Sequence, residues 1–504
     1  MLNRLPPLHR YTMLAGLLII LAGLLPVLAP SDFDLWWHLR TGQLIAEQGV
    51  PTVNDYSYTE LGRPWIAYHW LIEWLMYGVQ QLFGYPGLII LFGLVQAGSS
   101  LLVYRLLRLL GAGRVLTLLL LLLFAILTVP TWGVRPQILA SLFLAAYYLI
   151  LLTYKHTPSR RWLLWLLLPL SVLWTNMHGT YITGLILIGI FLLGEVLNNF
   201  IYRPEQPLPT LPLLLALLGS TAATLLNPYF VNLWLLPLGY VPNGSHNPLF
   251  YVDEWVSPDF HNYANLPLVA SFVLLMLVGI TRSVAVAART RWRLGLTRYL
   301  DLTELGIVVA FTWLGLQGAY TTPLYAVMVL PLLGRGLAQT WPLLGREGEE
   351  AAPAGEGRFN WLLGTVSLLL IAGLILTAPG AQTQREARLD GTFPYPAAAA
   401  TYLSQLPSDT RLFNDFGWGG YLIYRLYPQH RVFIDGRVDV YRGAVFDDYI
   451  SITSLAPNWP ALLDRYKVNT VLLPRSSALA AALGKEAGWR KGYADDLAVV
   501  FQKK

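Results

Sequence analysis

Mostly apolar stretches recur about eleven times along this 504-residue chain: near 12–30, 87–109, 115–130, 137–153, 162–177, 180–197, 211–226, 265–281, 303–317, 322–339 and 360–378. A helix needs about 20 apolar residues to cross a hydrocarbon core, and most of these runs reach or approach that length. Shorter ones can still span inside a bundle whose neighbours thin or shield the bilayer. The composition agrees. Charged residues are 13% and hydrophobic residues 55%, against about 25% charge in a soluble domain. An ordinary cytosolic enzyme, a disordered chain and a collagen-like repeat are excluded. With no Cys, disulfides, thiolate metal sites and Cys nucleophiles are excluded too. The first run, behind Arg4 and Arg10, could be a signal peptide ending near Ala-Pro-Ser. Its length and the many runs after it predict an uncleaved anchor instead.

The net charge of +6 is explained once the charges are placed. Alternate connections carry Arg4/Arg10, Arg105/Arg108/Arg114, Lys155/Arg160/Arg161, Arg203, Arg282 to Arg298, and Arg335/Arg346/Arg358. The others, 31–86, 131–136, 178–179, 227–264 and 318–321, hold few basic residues, chiefly Arg40, Arg63 and Arg135. Basic loops stay cytoplasmic. The pattern predicts about 11 transmembrane helices in a plasma (inner) membrane, with the N-terminus cytoplasmic and the tail outside. It is a topology signal, so no nucleic-acid partner is expected.

The fold class expected is an α-helical polytopic membrane bundle with a C-terminal soluble α/β domain. Residues 1–380 are expected to form the membrane domain, with outer loops 31–86 and 227–264, and residues 381–504 an extracytoplasmic domain. In the tail, RLFND (411–415), RVFIDGR (431–437), NTVLLP (469–474) and LAVVFQK (497–503) read as strands. GYLIYRL (420–426), 459–466 and SALAAALGKE (476–486) read as helices. No P-loop and no GxGxxG follows any of these strands. The segment 343–358 is low-complexity and reads as a cytoplasmic linker.

Polar residues gather on the outer side. The first outer loop opens SDFDLWWHLRTG and contains Asp32, Asp34, His38, Asp55, His69 and Glu73 among Trp36, Trp37, Trp65, Trp70 and Trp74. Asp34 and His38 are four apart, as are His69 and Glu73, so each pair shares a helix face. An interfacial aromatic belt accounts for the tryptophans. It accounts less well for carboxylates in so aromatic a setting, which cost energy unless paired or used. Other outer connections add Arg135 in TWGVRPQ, Asn176 and His178 in WTNMHG, and Asp253, Glu254, Asp259 and His261 in DEWVSPDFH. A guanidinium suits a phosphate, although Arg135 can equally bridge to a loop carboxylate, and His178 can simply end a helix. Such a set can supply a general base. It can also hold a hard divalent ion such as Mg or Mn, with Asp34 and His38 as first ligands. No HExxH or similar zinc spacing exists.

Many spans, a first outer loop opening with an acidic pair in SDFDLWWH, interfacial helices in that loop and an outer α/β tail together resemble the GT-C membrane glycosyltransferases. The loop is most similar to that of the mannosyl- and aminoarabinose-type transferases. In the tail, FNDFGWGGYLIY (413–424) is similar to the acceptor-binding WWDYG element of oligosaccharyltransferases. Only Asp415, Phe416 and Gly417 align, and the preceding Trp pair is absent. A glycine-rich strand-to-helix turn is the other reading of this segment.

The resemblance implies an enzyme that moves a sugar from a polyprenyl-phosphate donor to a glycan, lipid or protein acceptor at the outer face. It implies a catalytic acidic residue just after the first span, which transfers to Asp34 or Asp32; Asp55 is the next candidate. Donor and acceptor contacts are expected from His38, Glu73, Arg135, Asn176, His178, Glu254, His261, Asp415 and Arg437. Asp435, Arg437 and Asp439 alternate, so on a strand they would project one polar row; alternatively Asp435 and Arg437 pair locally. Two non-enzymatic readings stand beside this one. A transporter or flippase of lipid-linked glycans would carry ionisable residues at mid-membrane, whereas the runs here are mostly Leu-rich and uncharged, with Glu195 near a run end a modest exception. A cell-envelope polymer-binding protein would lose nothing with Asp34.

Overall fold

A computed structural model describes residues 33–131, 133–235, 255–290, 301–341, 395–441 and 444–504. The apolar runs at 12–30 and 360–378, Asp32, Glu254 and the boundary expected at 380 lie outside these residues. Each of the other runs is helical. Among the described residues, five helical segments are long and apolar enough to cross a membrane: Trp70–Leu109, Pro136–His156, Tyr181–Tyr202, Tyr263–Val284 and Ala319–Thr340. Arg114–Thr128, Leu211–Ala223 and Leu302–Gln317 are shorter apolar helices. The 162–177 run divides into a 3-10 stretch, Pro158–Leu166, and a helix, Leu167–Met177.

The described chain forms two compact units. The first holds residues 89–227, 255–290 and 301–341. Lipid gives no hydrophobic drive between helices, so packing depends on small residues that admit neighbours. Gly184 lies against Trp174 and Tyr147, and Gly315 against Tyr325. Lys155 pairs with Glu195 and Asp301, and Arg335 with Glu304. Glu195 is therefore a paired residue and not an isolated membrane charge.

The second unit holds residues 33–88, 228–235, 395–441 and 444–504. The first outer loop thus packs with the tail. Its Leu35–Gln48 helix is followed by an irregular stretch and then by the start of the Trp70–Leu109 helix. That long helix breaks at Gly84, whose φ of 63° suits glycine, and Pro86 follows. The break separates residues 70–83 from the span expected at 87–109. The belt of tryptophans also divides. Trp36, Trp37 and Trp65 are buried, while Trp74 is 50% exposed. Trp36 packs edge-on against Tyr395 and Tyr421 of the tail, at 5.5 and 5.3 Å.

The tail carries a four-stranded sheet ordered β1 (Leu412–Asn414), β2 (Thr470–Pro474), β4 (Ala498–Lys503), β3 (Trp489–Ala494). β1 and β2 are parallel, and the other pairs are antiparallel. Helices Ala397–Leu403, Gly419–Leu426, Ala444–Thr453, Trp459–Arg465 and Ala478–Leu483 accompany it. The expected strand at 431–437 does not form. Its backbone is taken up elsewhere. Asn414 Oδ1 accepts from Phe433 N at 2.8 Å, Asn414 Nδ2 donates to Ile434 O, and Val432 N donates to Tyr56 O of the first loop at 3.0 Å. Tyr58 N completes this graft by donating to Val432 O at 3.2 Å.

Candidate functional site

The first turn of the Leu35–Gln48 helix sets the site in the loop-and-tail unit. Asp34 stands at its N-cap, half-buried, and its Oδ1 accepts from Trp37 Nε1 at 2.8 Å. One turn on, His38 points inward and is 3% exposed. The opposing residues come from the start of the next helix, where Glu73 N donates to His69 O, so His69 and Glu73 lie one turn apart on one face. Glu73 is 0% and His69 8% exposed. His38 Nδ1 and Glu73 Oε1 are 2.7 Å apart, and the two imidazole rings meet edge-on at 5.1 Å. Donor atoms of His38, His69 and Glu73 all lie within 4.8 Å of one another. Such a His, His, carboxylate set fits a divalent transition ion better than Mg, which prefers oxygen ligands and retained waters. The sequence points to His38 as a ligand. It marks the spacing of His69 without giving that residue a role, and it points Glu73 toward substrate.

The glycines of FNDFGWGG and of the 431–441 segment bring the tail up to this helix. None of Gly417, Gly419, Gly420 and Gly436 has a positive φ; they are needed for close approach. A Cβ at 436 would stand 2.1 Å from Asp34 Oδ1, and one at 420 would stand 2.7 Å from Phe33 O. Asp415 is half-buried and caps the turn after β1, its Oδ1 accepting from Gly417 N at 2.9 Å. Burial raises its pKa, while the backbone N–H groups of Gly417 and Trp418 pull it down.

Asp435 and Arg437 pair locally instead of projecting a row. Arg437 Nη2 and Nε donate to the two Asp435 oxygens at 2.7 and 2.8 Å, and Tyr441 donates to the same carboxylate. Arg437 also reaches the first loop, donating to Asn54 Oδ1 at 2.9 Å, and its guanidinium stacks over Tyr56 and Trp65 at 4.7 and 4.6 Å. It is 2% exposed. Burial alone would lower its pKa, but the adjacent Asp435 carboxylate more than offsets this and raises it, so the charge is permanent. Asp55 is engaged by Arg431 at 2.8 Å and by Tyr427 OH at 2.6 Å.

The helical unit carries a second polar group at the ends of its helices. His178 Nδ1 accepts from Thr180 N at 3.2 Å and faces Thr180 Oγ1 at 2.8 Å. Trp174 Nε1 donates to that hydroxyl oxygen, leaving the hydroxyl hydrogen for His178. Nδ1 is thus the acceptor, and Nε2–H faces Tyr320 OH at 3.3 Å. Burial, with the Arg135 charge as a second cause, pushes the His178 pKa down to about 3, so the ring is neutral at physiological pH. Trp255 stacks on Tyr320 at 5.2 Å. No sequence signal marks Tyr320 or Trp255. Asn176 donates to Val172 O and Leu226 O, tying two helix ends together. His261 is exposed and bonds Asp259.

No protein-family model matches the sequence, and no curated protein matches it. Solved structures do. The apo oligosaccharyltransferase of Archaeoglobus fulgidus matches with a TM-score of 0.55 at 12% identity, over 92% of this chain and 70% of that one. The archaeal oligosaccharyltransferase AglB from the same organism, in complex with an inhibitory peptide and a dolichol-phosphate, matches with a TM-score of 0.57 at 11% identity, over 98% and 74%. Apo ArnT from Cupriavidus metallidurans gives 0.48 at 13% identity over 97% of each chain. At these identities the likeness is one of fold: the chain shares the fold of the archaeal oligosaccharyltransferases, and five of its described helices are long and apolar enough to cross a membrane.

Proposed function

We propose that this chain transfers a sugar from a polyprenyl-phosphate-linked donor to a glycan, lipid or protein acceptor at the outer face of the plasma (inner) membrane. The observation that carries the reading is Asp34. It is a half-buried carboxylate held at the head of a helix by Trp37, in a chain with a fold found in an oligosaccharyltransferase solved with dolichol-phosphate. Asp34 takes the proton from the attacking acceptor hydroxyl as the bond between the anomeric carbon and the phosphate oxygen breaks. Polyprenyl phosphate leaves already stabilised as an anion, so little acid assistance is needed. The chain supplies position and charge neutralisation. Asp55 is the weaker candidate base because Arg431 and Tyr427 occupy it.

Arg135 is assigned the donor phosphate. Its guanidinium offers a planar fork that lysine lacks. Arg135→Lys should raise the donor KM, and Arg135→Ala should raise it further, while the acceptor KM stays within about twofold. Titrating each substrate separately with purified protein in liposomes checks this. Equal loss toward both substrates would make Arg135 a structural residue.

The ends of the helical unit support the orientation. Lys155 pairs with Glu195 and Asp301, and Arg335 pairs with Glu304; Lys155, Asp301 and Arg335 belong to connections read as cytoplasmic, and Glu195 and Glu304 lie at the adjoining run ends. Arg135, His178, Trp255 and Tyr320 cluster from connections read as outer. In this Cys-free chain, single cysteines at exposed Glu47 and Arg475 should react with an impermeant thiol reagent in intact cells. Those at exposed Ser159 and Arg203 should react only after permeabilisation. Labelling of position 475 only after permeabilisation would place the tail inside and end the outer-face reading.

A further inference from the structure

We propose that His38, His69 and Glu73 bind a divalent transition-metal ion of the zinc class and that this ion clamps the Leu35–Gln48 helix to the start of the Trp70–Leu109 helix. A hydrogen-bonded His–Glu pair is the simpler account of these residues, but it leaves one atom unexplained. Glu73 is 0% exposed, and only its Oε1 is matched, by His38 Nδ1 at 2.7 Å. Oε2 is buried with no hydrogen-bond partner. An orphaned buried acceptor costs about 1–3 kcal/mol, and more when it carries charge. The charged groups facing Glu73 are Arg437 and Asp439. Arg437 is already committed to Asp435 and Asn54, and Asp439 has the wrong sign to help.

His69 supplies the remaining piece. It lies one helical turn before Glu73, and its ring meets that of His38 at 83°. Two imidazoles and a carboxylate therefore converge from two helices. All three are buried, and their donor atoms lie within 4.8 Å of each other. Donors around a tetrahedral ion lie about 3.4 Å apart, so side-chain rotations of about 1 Å close the set. Two nitrogens in three donors favour zinc over the Mg or Mn that first-loop carboxylates alone would suggest. Three protein ligands leave a fourth position for a water or another oxygen. The site stands apart from the transferase reading, since metal retention requires no sugar chemistry.

The test measures metal directly. Full-length protein is purified through a tag without histidine, dialysed, and assayed by plasma mass spectrometry. About one zinc per chain is expected for the wild type, and under about a tenth of that for Glu73→Gln and for His69→Asn. Protein stripped with chelator and titrated with Co2+ should develop visible absorption saturating near one equivalent, with no thiolate contribution from this Cys-free chain. The stripped wild type should melt lower than the loaded one, and the variants should melt alike with or without metal. If Glu73→Gln fails to fold, His69→Asn and the stripped wild type carry the comparison. A wild type that retains no metal and gives no Co2+ spectrum, or variants that retain as much as the wild type, would overturn the site.

Discussion

Asp34→Asn should lower turnover of a polyprenyl-phosphate sugar donor by at least about 10²-fold, the low end for loss of a positioned base. The amide is nearly isosteric, and its oxygen still accepts from Trp37 Nε1, a contact now 2.8 Å long. It also keeps its shape against Gly436. The protein should therefore fold, elute and melt like the wild type while losing its base. Asp55→Asn is the matched control. It weakens a pair with Arg431 whose side chains are about a third exposed or more, worth about 0.2–1 kcal/mol, and should leave turnover within a few fold of the wild type. Steady-state rates and melting curves on the same preparations read both quantities. An Asp34→Asn protein with full turnover removes this residue from the mechanism.

Arg437→Ala should give the largest loss of stability, about 3–5 kcal/mol, because removing one partner of a buried pair strands the other charge. The side chain holds Asp435 through two bonds, donates to Asn54, and stacks on Tyr56 and Trp65. Its loss leaves Asp435 buried with Tyr441 as its remaining side-chain donor. In a unit of this size the transition of the full-length protein should fall by about 6 °C or more. Replacing both members, Asp435→Leu with Arg437→Met, should recover part of that loss, since no lone charge remains. Arg431→Ala, at the exposed pair, should cost no more than about 1 kcal/mol. A melting curve for Arg437→Ala that overlays that of Arg431→Ala would contradict the clamp.

The apolar runs were legible because a hydrocarbon core imposes length and composition on a helix, and both are local. Every run within the described residues is helical. What failed was long-range. RVFIDGR alternates like a strand, yet its backbone partners are the Asn414 side chain and the Tyr56–Tyr58 backbone of the first loop. No local pattern encodes those partners. WRKGYA forms the edge strand β3, but its polar residues conceal it, because an edge strand is free to face solvent on one side. Ala444–Thr453 is helical and buries Val445, Phe446, Tyr449 and Ile452, a helical spacing that the sequence carries but that is missing from the helices expected in the tail.

The site divides in the same way. The i,i+4 spacings of Asp34/His38 and His69/Glu73 were visible in the first loop. That His38 and Glu73, 35 positions apart, would share a hydrogen bond was not. The glycines of FNDFGWGG read as turn formers. Their actual use, letting the tail backbone approach Phe33 and Trp37, depends on partners far away in the first loop. Arg437 reads as one of a polar row or as a local partner of Asp435; it makes the local pair and is sealed inside, because Asn54, Tyr56 and Trp65 of the first loop complete its surroundings.

The most direct test of the central claim follows the sugar. Purified protein in liposomes is given a polyprenyl-phosphate donor carrying a radiolabelled sugar, together with membrane and envelope extract as acceptor. Label is then traced between the donor lipid, the extract and the two faces of the bilayer. The account predicts that label leaves the donor for an acceptor in the extract, that polyprenyl phosphate accumulates in step, and that Asp34→Asn stops both. Label that stays on the intact donor yet crosses the bilayer, as fast with the Asp34→Asn variant as with the wild type, would contradict it and identify a flippase.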